Sequence, residues 1–350
     1  MSSSEIASKI SSSAFADIII KWQGEHGRHH LPWQQSLSAY SVWISEIMLQ
    51  QTQVATVIPY YQTFIASFPD VVALANADED QVLALWSGLG YYRRAKNLHK
   101  SAKIIASQHQ GCVPTDPDIL ITLPGIGLST AHAIASIAGG QAYPILDANV
   151  KRVLVRYFAV DKPINTTAVE KQLWQLAQEL MPTTHCRTYT QGMMDLGALI
   201  CAKKPQCSQC PLQADCQAQL LDIQHKLPVK TVKKPRPTYA KAYLIFIKPG
   251  YIWLQQRPDQ GVWPKLWCLP EQENIPDLLA DSMPLAIVKH SFSHYHLTMH
   301  PVVMPSLPDA GMQGMWFCVN EVFQLGLPSP IRRIITTYIS EYAMLKEPEL

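Results

Sequence analysis

The stretch LPGIGLSTAHAIAS, residues 123–136, decides how this chain is read. Two glycines flank one isoleucine, directly after the apolar run ILITL and directly before a run of small, helix-compatible residues. The pattern allows a tight turn with positive φ at a helix N-terminus, its backbone N–H groups aimed outward. Such a turn suits a phosphate, because unpaired amides and the helix dipole converge there. Alone, a Gly-Ile-Gly turn is an ordinary link between two helices; its surroundings give it more weight.

Working outward, residues 4–200 read as successive helices punctuated by Gly, Pro and Asp, with apolar residues three and four apart in YSVWISEIMLQQTQVATVIPYYQTFI and EKQLWQLAQEL. No internal repeat or low-complexity block interrupts them. After Cys216 the texture changes: KLPVKTVKKPRPTYAK, residues 226–241, is basic and Pro-rich, which is linker composition. Beyond it come the short segments AYLIFI, YIWLQQ, LAIVKH, HYHLTMHPVV and MWFCV, then the helical pattern IRRIITTYISEY, which together predict an α+β domain with a small sheet. The length of 350 residues fits two domains. We place a helical domain at 1–225, a linker at 226–240 and an α+β domain at 241–350.

An apolar share of 47% with 16% charged residues is that of a packed globular enzyme, and no apolar run reaches the length of a bilayer span. The opening MSSSEIASKISSS lacks the basic head and apolar core of a secretory signal, so the expectation is a cytoplasmic protein. A net charge of +2 does not by itself announce nucleic acid. The positive charge is clumped, however, in Arg93, Arg94, Lys96, Lys100 and Lys103, a run that a solvated helix face would also explain.

Two carboxylates and four thiols stand out, although a plain helix cap would by itself explain the first carboxylate below and a salt-bridged glutamate the second. Asp147, in PILDANVKRV, stands at the start of a predicted helix, where backbone donors keep an acid ionised. Glu46 lies among Trp43, Ile44, Ile47 and Met48, where loss of water raises a carboxyl's pKa and leaves it able to hold a proton near neutrality. Cys201, Cys207, Cys210 and Cys216 crowd into sixteen residues. In a reducing compartment that spacing means metal ligation, by zinc or by a 4Fe-4S cluster, and spacing alone does not separate the two.

LPGIG followed by Ser-Thr-Ala, with PILDANVKRV downstream, resembles the helix-hairpin-helix DNA glycosylases. LPWQ, SEIMLQQTQV and LWSGLGYYRRAKNLH narrow the resemblance to the adenine DNA glycosylase (MutY) family, from about residue 15 to about residue 318. The resemblance implies an all-α helix-hairpin-helix glycosylase domain with an iron-sulfur loop, followed by a Nudix-like α+β module. It makes Asp147 the catalytic carboxylate, Glu46 the acid that protonates adenine at N7, and Asn149 the holder of Asp147 or of the nucleophilic water. Where bifunctional relatives carry a lysine that attacks the sugar, this chain has Ser129, which cannot form a Schiff base. The expectation is base removal by water alone.

By position, Gln51, Thr52, Leu89 and Tyr91 enter the base stack or touch the opposing damaged guanine. Trp33 and Gln191 line an adenine pocket. Gly125, Gly127, Ser129 and Lys151 meet the DNA backbone, with further phosphate contacts from the basic residues at 93–103 and 151–156. Phe292, Ser293 and His294, in the SFSHYHL loop, read 8-oxoguanine. The Nudix metal helix is absent, so no pyrophosphatase chemistry is expected. The position of the thiols, directly after MMDLGALIC, implies one 4Fe-4S cluster with a structural role. The implied substrate is duplex DNA with adenine opposite 8-oxoguanine or guanine, met by a monomer at the nucleoid, with repair or replication proteins as partners.

The chain departs from the family pattern at three places: the first cysteine gap is one residue short, Ala148 replaces a glycine, and His132 replaces another. Two other functions share some of these residues. An endonuclease III-like pyrimidine glycosylase would need the lysine absent at 129, and a non-catalytic iron-sulfur DNA-binding protein would not need Glu46 and Asp147.

Overall fold

The computed structural model describes residues 11–231, 235–273, 275 and 282–340. The first and last ten positions, three residues of the expected linker and the end of the pattern IRRIITTYISEY lie outside that set. The chain divides into two compact units, 1–72 with 101–233 and 73–100 with 234–350. Residues 73–100, placed by sequence with the helical domain, thus group with the C-terminal strands.

The helices in chain order are α1 (Ser12–His26), α2 (Pro32–Gln35), α3 (Ala39–Leu49), α4 (Val54–Ser67), α5 (Val71–Asn76), α6 (Glu79–Leu85), α7 (Arg93–Gln108), α8 (Pro117–Leu120), α9 (Leu128–Ile137), α10 (Ala148–Tyr157), α11 (Thr167–Glu179), α12 (Cys186–Leu199) and α13 (Gln217–Leu220). The apolar periodicity across 40–65 suggests a continuous helix, yet the chain breaks between α3 and α4, where Gln51 takes φ +57°. Apolar spacing records which side chains face inward; it is blind to a single left-handed backbone residue.

In the first unit α9 packs against both α3 and α12, and α12 against α1 and α10. The small residues of α9 allow this: Ala131, Ala133, Ala135 and Ser136 are buried, and Ser136 Oγ lies 2.7 Å from Thr190 Oγ1 of α12. Burying that hydroxyl is tolerable because it is paired.

Among the described residues the second unit has nine short strands: β1 (Thr238–Ile245), β2 (Ile247–Lys248), β3 (Tyr251–Gln256), β4 (Trp267–Cys268), β5 (Glu271–Gln272), β6 (Met283–Pro284), β7 (Val288–Ser291), β8 (His296–Val303) and β9 (Met315–Cys318). One sheet runs β5-β1-β8-β6 with β7 also on β8, and the other runs β2-β3-β4 with β9 on β3. β1 and β8 are parallel, with Thr238 opposite His296. Ala242, Leu244, Phe246 and Val302 form a buried cluster between their neighbours. The closing helix is α14 (Ser329–Tyr338). Residues 73–100 are tied in by the carbonyl of Leu327, which accepts from Ser87 Oγ at 2.7 Å and Tyr92 OH at 2.9 Å.

Candidate active site

The Gly-Ile-Gly turn forms, but its two glycines differ. Gly125 takes φ +81°, whereas Gly127 is extended at φ −91° and serves as the N-cap of α9. The positive φ expected of the turn falls on Gly125. A Cβ at 127 would meet nothing within 4 Å, so glycine there leaves open space above the amides of α9.

Asp147 is the N-cap of α10 and accepts from the Val150 amide at 2.7 Å. Asn149 Nδ2 donates to its other oxygen at 3.0 Å. Burial pushes the Asp147 carboxyl above the usual carboxylate range, while the donors from Val150 and Asn149 and the charge of Arg152 pull it back. Glu46 stands on α3, whose start is fixed by Ser38 and Ser41 in a reciprocal capping box. Its neighbours Trp43, Ile44, Ile47 and Met48 are buried, and Glu46 itself keeps only partial exposure. Loss of water, and secondly the negative charge of Asp147, push its pKa up to about 7. The charge of Asp147, 101 positions further along the chain, thus reaches Glu46. The donors gathered on Asp147 favour its ionised form, against the burial that disfavours it.

Behind Asp147 a chain of hydrogen bonds leads away from the site. Arg152 donates through Nη2 to Asn149 Oδ1 at 2.8 Å and to the Gly197 carbonyl, and through Nε to the Cys201 carbonyl at 2.6 Å. Arg156 is buried, giving Nη1 to the carbonyls of Cys201 and Ala202 and Nε to that of Leu227. Sequence reading assigned these arginines to phosphates; the structure turns them inward, onto carbonyls that a loop without regular structure leaves unpaired. Gly197 of α12 lies against Asn149, and a Cβ there would come within 2.7 Å of the Asn149 Cβ.

Ser129, also expected at the DNA backbone, accepts the Leu146 amide on its Oγ at 3.1 Å. Lys151 pairs with Glu170 at 2.7 Å. Of the basic run, Lys96 lies 3.4 Å from Glu79, and Arg94 lies over the rings of Trp86 and Tyr91. Gln51 and Tyr91 are exposed, both with left-handed backbones, and Thr52 is half-buried. Leu89, expected in the base stack, is buried in the free protein.

Trp33 is buried against Tyr61, ring centroids 5.4 Å apart. Gln191 donates to Asp195, a fully buried carboxylate on α12 that also takes the amide, Nε and Nη2 of Arg28. That pair joins the segment bearing Trp33 to the helix bearing Gln191. Sequence reading missed it: an aspartate inside TQGMMDLGALI is a signal, but its partner 167 positions away is not.

The thiols of Cys201, Cys207, Cys210 and Cys216 are free. Burial and the neighbouring thiols raise Cys207, Cys210 and Cys216, Cys210 to about 12. Among the described residues no three His, Cys, Asp or Glu side chains are gathered tightly enough for one metal ion. The four thiols nonetheless lie within electrostatic reach of one another, with the Arg156 guanidinium 3.4 Å from Cys201 Sγ. Four soft donors beside a cation fit an anionic thiolate cluster.

In the second unit Phe292 packs on Tyr295 at 4.5 Å and Trp263 at 5.2 Å, while its carbonyl accepts from Arg236 at 2.7 Å. Ser293 and His294 project from the β7–β8 turn, both exposed.

Residues 44–179 match the HhH-GPD superfamily of base excision DNA repair proteins, and residues 242–337 match the NUDIX domain. An adenine DNA glycosylase of Buchnera aphidicola (subspecies Acyrthosiphon pisum) is 38% identical over 340 residues, 93% of this chain and 97% of its own length. The chain belongs to the adenine DNA glycosylase family. The Homo sapiens adenine DNA glycosylase is 34% identical over 360 residues, 82% of this chain and 66% of the human one. Among solved structures, a thermostable thymine-DNA glycosylase superposes with a TM-score of 0.54 at 27% identity, covering 60% of this chain and 97% of that one. A non-covalent endonuclease III–DNA complex, at 20% identity and a TM-score of 0.52, shares the fold. As an adenine DNA glycosylase family member the chain is a base excision repair enzyme with a helix-hairpin-helix domain and a Nudix-like domain.

Proposed function

We propose that the enzyme hydrolyses the N-glycosidic bond of adenine mispaired with 8-oxoguanine, or with guanine, and leaves an abasic site. The observation that carries this reading is Glu46, held near pKa 7 beside a donor-bound Asp147. Adenine is a poor leaving anion, so a proton delivered to N7 by Glu46 lowers the barrier to its departure. The sugar left behind is cationic, and the ionised Asp147 stabilises it until water adds. Asn149 keeps Asp147 oriented. With a hydroxyl at 129 and no amine, the reaction ends at the abasic sugar, which makes the enzyme monofunctional.

Gly125, Gly127 and the amides of α9 receive a phosphate, while Gln51, Thr52 and Tyr91 meet the bases around the extruded adenine. Trp33 and Gln191 line the pocket that receives it. Leu89 reaches the stack only if binding draws it out of the core. Phe292, Ser293 and His294 read the opposing base: an aromatic ring set among other rings, with two exposed polar side chains beside it, suits an oxidised purine. The working division is a glycosylase domain at 1–225 and a recognition domain at 241–350, joined by 226–240; both family matches fall within it.

Cys201, Cys207, Cys210 and Cys216 would hold one 4Fe-4S cluster. When bound it fixes the loop that follows α12, and hydrolysis asks no electron of it. Among the described residues no helix is long and apolar enough to cross a membrane. We infer a monomer acting on chromosomal DNA in the cytoplasm.

The test is a duplex with adenine opposite 8-oxoguanine, incubated with the enzyme and then treated with alkali. Cleavage of the adenine strand only after alkali supports the reading. An intact strand refutes it, and high-yield borohydride trapping of a covalent complex would point instead to a lyase.

A further inference from the structure

The connection between α9 and α10 carries Asp147 at its end and has no strand or helix of its own. It leaves α9 through Gly139 and Gly140, the latter at φ +66°, and runs without regular structure to the cap of α10. A carboxylate at the end of such a segment is only as well placed as the points that pin the segment.

Gln141 ties the start of the segment to Ala135 and Thr115, and two pins hold the end nearest Asp147, both on one face of α9, three residues apart. Ser129 Oγ accepts the Leu146 amide at 3.1 Å, and His132 Nδ1 lies 2.7 Å from the Pro144 carbonyl. The carbonyl only accepts, so Nδ1 carries the proton, as it does in both the neutral tautomer with Nδ1–H and the imidazolium. The imidazole is half-buried, with its centroid 5.0 Å from that of Tyr143 and 5.7 Å from that of Trp174 on α11. His132 is thus held by two rings and holds the backbone three residues before Asp147.

We propose that His132 is a positioning residue for Asp147, acting through the Pro144 carbonyl to fix the distance between that carboxylate and Glu46. The proposal rests on the reading of Asp147 as the reacting carboxylate. The side chain touches neither the base nor the sugar, and its effect is transmitted through the backbone of residues 144–147.

The experiment compares His132→Phe, which keeps ring packing without the donor, and His132→Asn, whose amide places a donor near the Nδ1 position. Single-turnover adenine release, affinity for a duplex carrying a non-hydrolysable abasic analogue, and the pH profile of the rate are measured on the full chain. Losing one hydrogen bond that orients a reacting group should slow release by His132→Phe about five- to tenfold, with duplex affinity within about twofold of the parent. The high-pH limb should move to lower pH, because a receding Asp147 no longer raises the Glu46 pKa. His132→Asn should recover most of the rate and the limb. A His132→Phe variant that releases adenine at the parental rate overturns the proposal, and so does one whose rate and affinity fall together with an unmoved limb. Asp147→Asn in the same assay separates the two readings: if it retains turnover, the underlying function fails; if it is dead while His132→Phe is normal, only the pin fails.

Discussion

Asp147 bears on Glu46: burial first, and the Asp147 charge second, raise the Glu46 carboxyl from 4.5 to about 7. Since the acid must hold its proton to donate it, adenine release should fall as pH climbs through about 7, and it should fall again at low pH where Asp147 takes up a proton. Folding is linked in the same direction. A carboxyl raised by folding contributes stability that is complete below its unfolded value of 4.5 and lost as pH rises through about 7. Glu46→Gln should slow release by about 10²- to 10⁴-fold and remove both dependences. Rate profiles and denaturant unfolding at several pH values check this, and an unchanged limb in the variant would contradict the assignment.

Asp147 has two jobs that substitution can divide. Asparagine retains an acceptor for the Val150 amide, so Asp147→Asn should melt like the parent, whereas Asp147→Ala should lose about 1 kcal/mol with the cap. Both should lose adenine release, because neither offers a negative charge to the sugar. Thermal melting alongside the single-turnover assay decides the matter.

Asn149→Ala removes the 3.0 Å donor to Asp147. A hydrogen bond to a charged group is worth about 1.5–3 kcal/mol, so release should slow by roughly 10- to 150-fold. With one donor gone the Asp147 carboxyl rises further, and the low-pH limb should shift upward. A loss of rate without that shift would assign Asn149 to the water.

The two turn glycines should behave differently. Gly125→Ala must place a Cβ at φ +81° and should destabilise the fold by about 1 kcal/mol. Gly127→Ala meets no neighbour within the protein, so folding should be unaffected while DNA affinity falls. Equal affinity for DNA in the parent and Gly127→Ala would remove the phosphate from that turn.

Cys210→Ser should lower bound iron and labile sulfide together, bleach the broad visible absorbance and reduce the melting temperature. Colourless parent protein containing zinc would instead identify a single-ion site.

The sequence makes some of this site legible and hides the rest for definable reasons. Asp147 is readable as a cap because an acid precedes a helical pattern, and Glu46 because its neighbours are apolar at helical spacing. The strands show themselves by alternation. Arg152 and Arg156 are not readable, since charge in a sequence carries no direction: both face the carbonyls around Cys201. Nor is the grouping of residues 73–100 with the C-terminal strands, which depends on hydroxyls meeting the Leu327 carbonyl some 240 positions away.

Gly197 carries a consequence for inherited variation. It contributes no reactive atom and lies fifty positions from Asp147, yet any larger residue there would press on the backbone of Asn149. A surveyor of natural alleles who ranks harm by lost chemical groups would pass over it, although an enzyme carrying such an allele would have every catalytic atom and the wrong spacing between them.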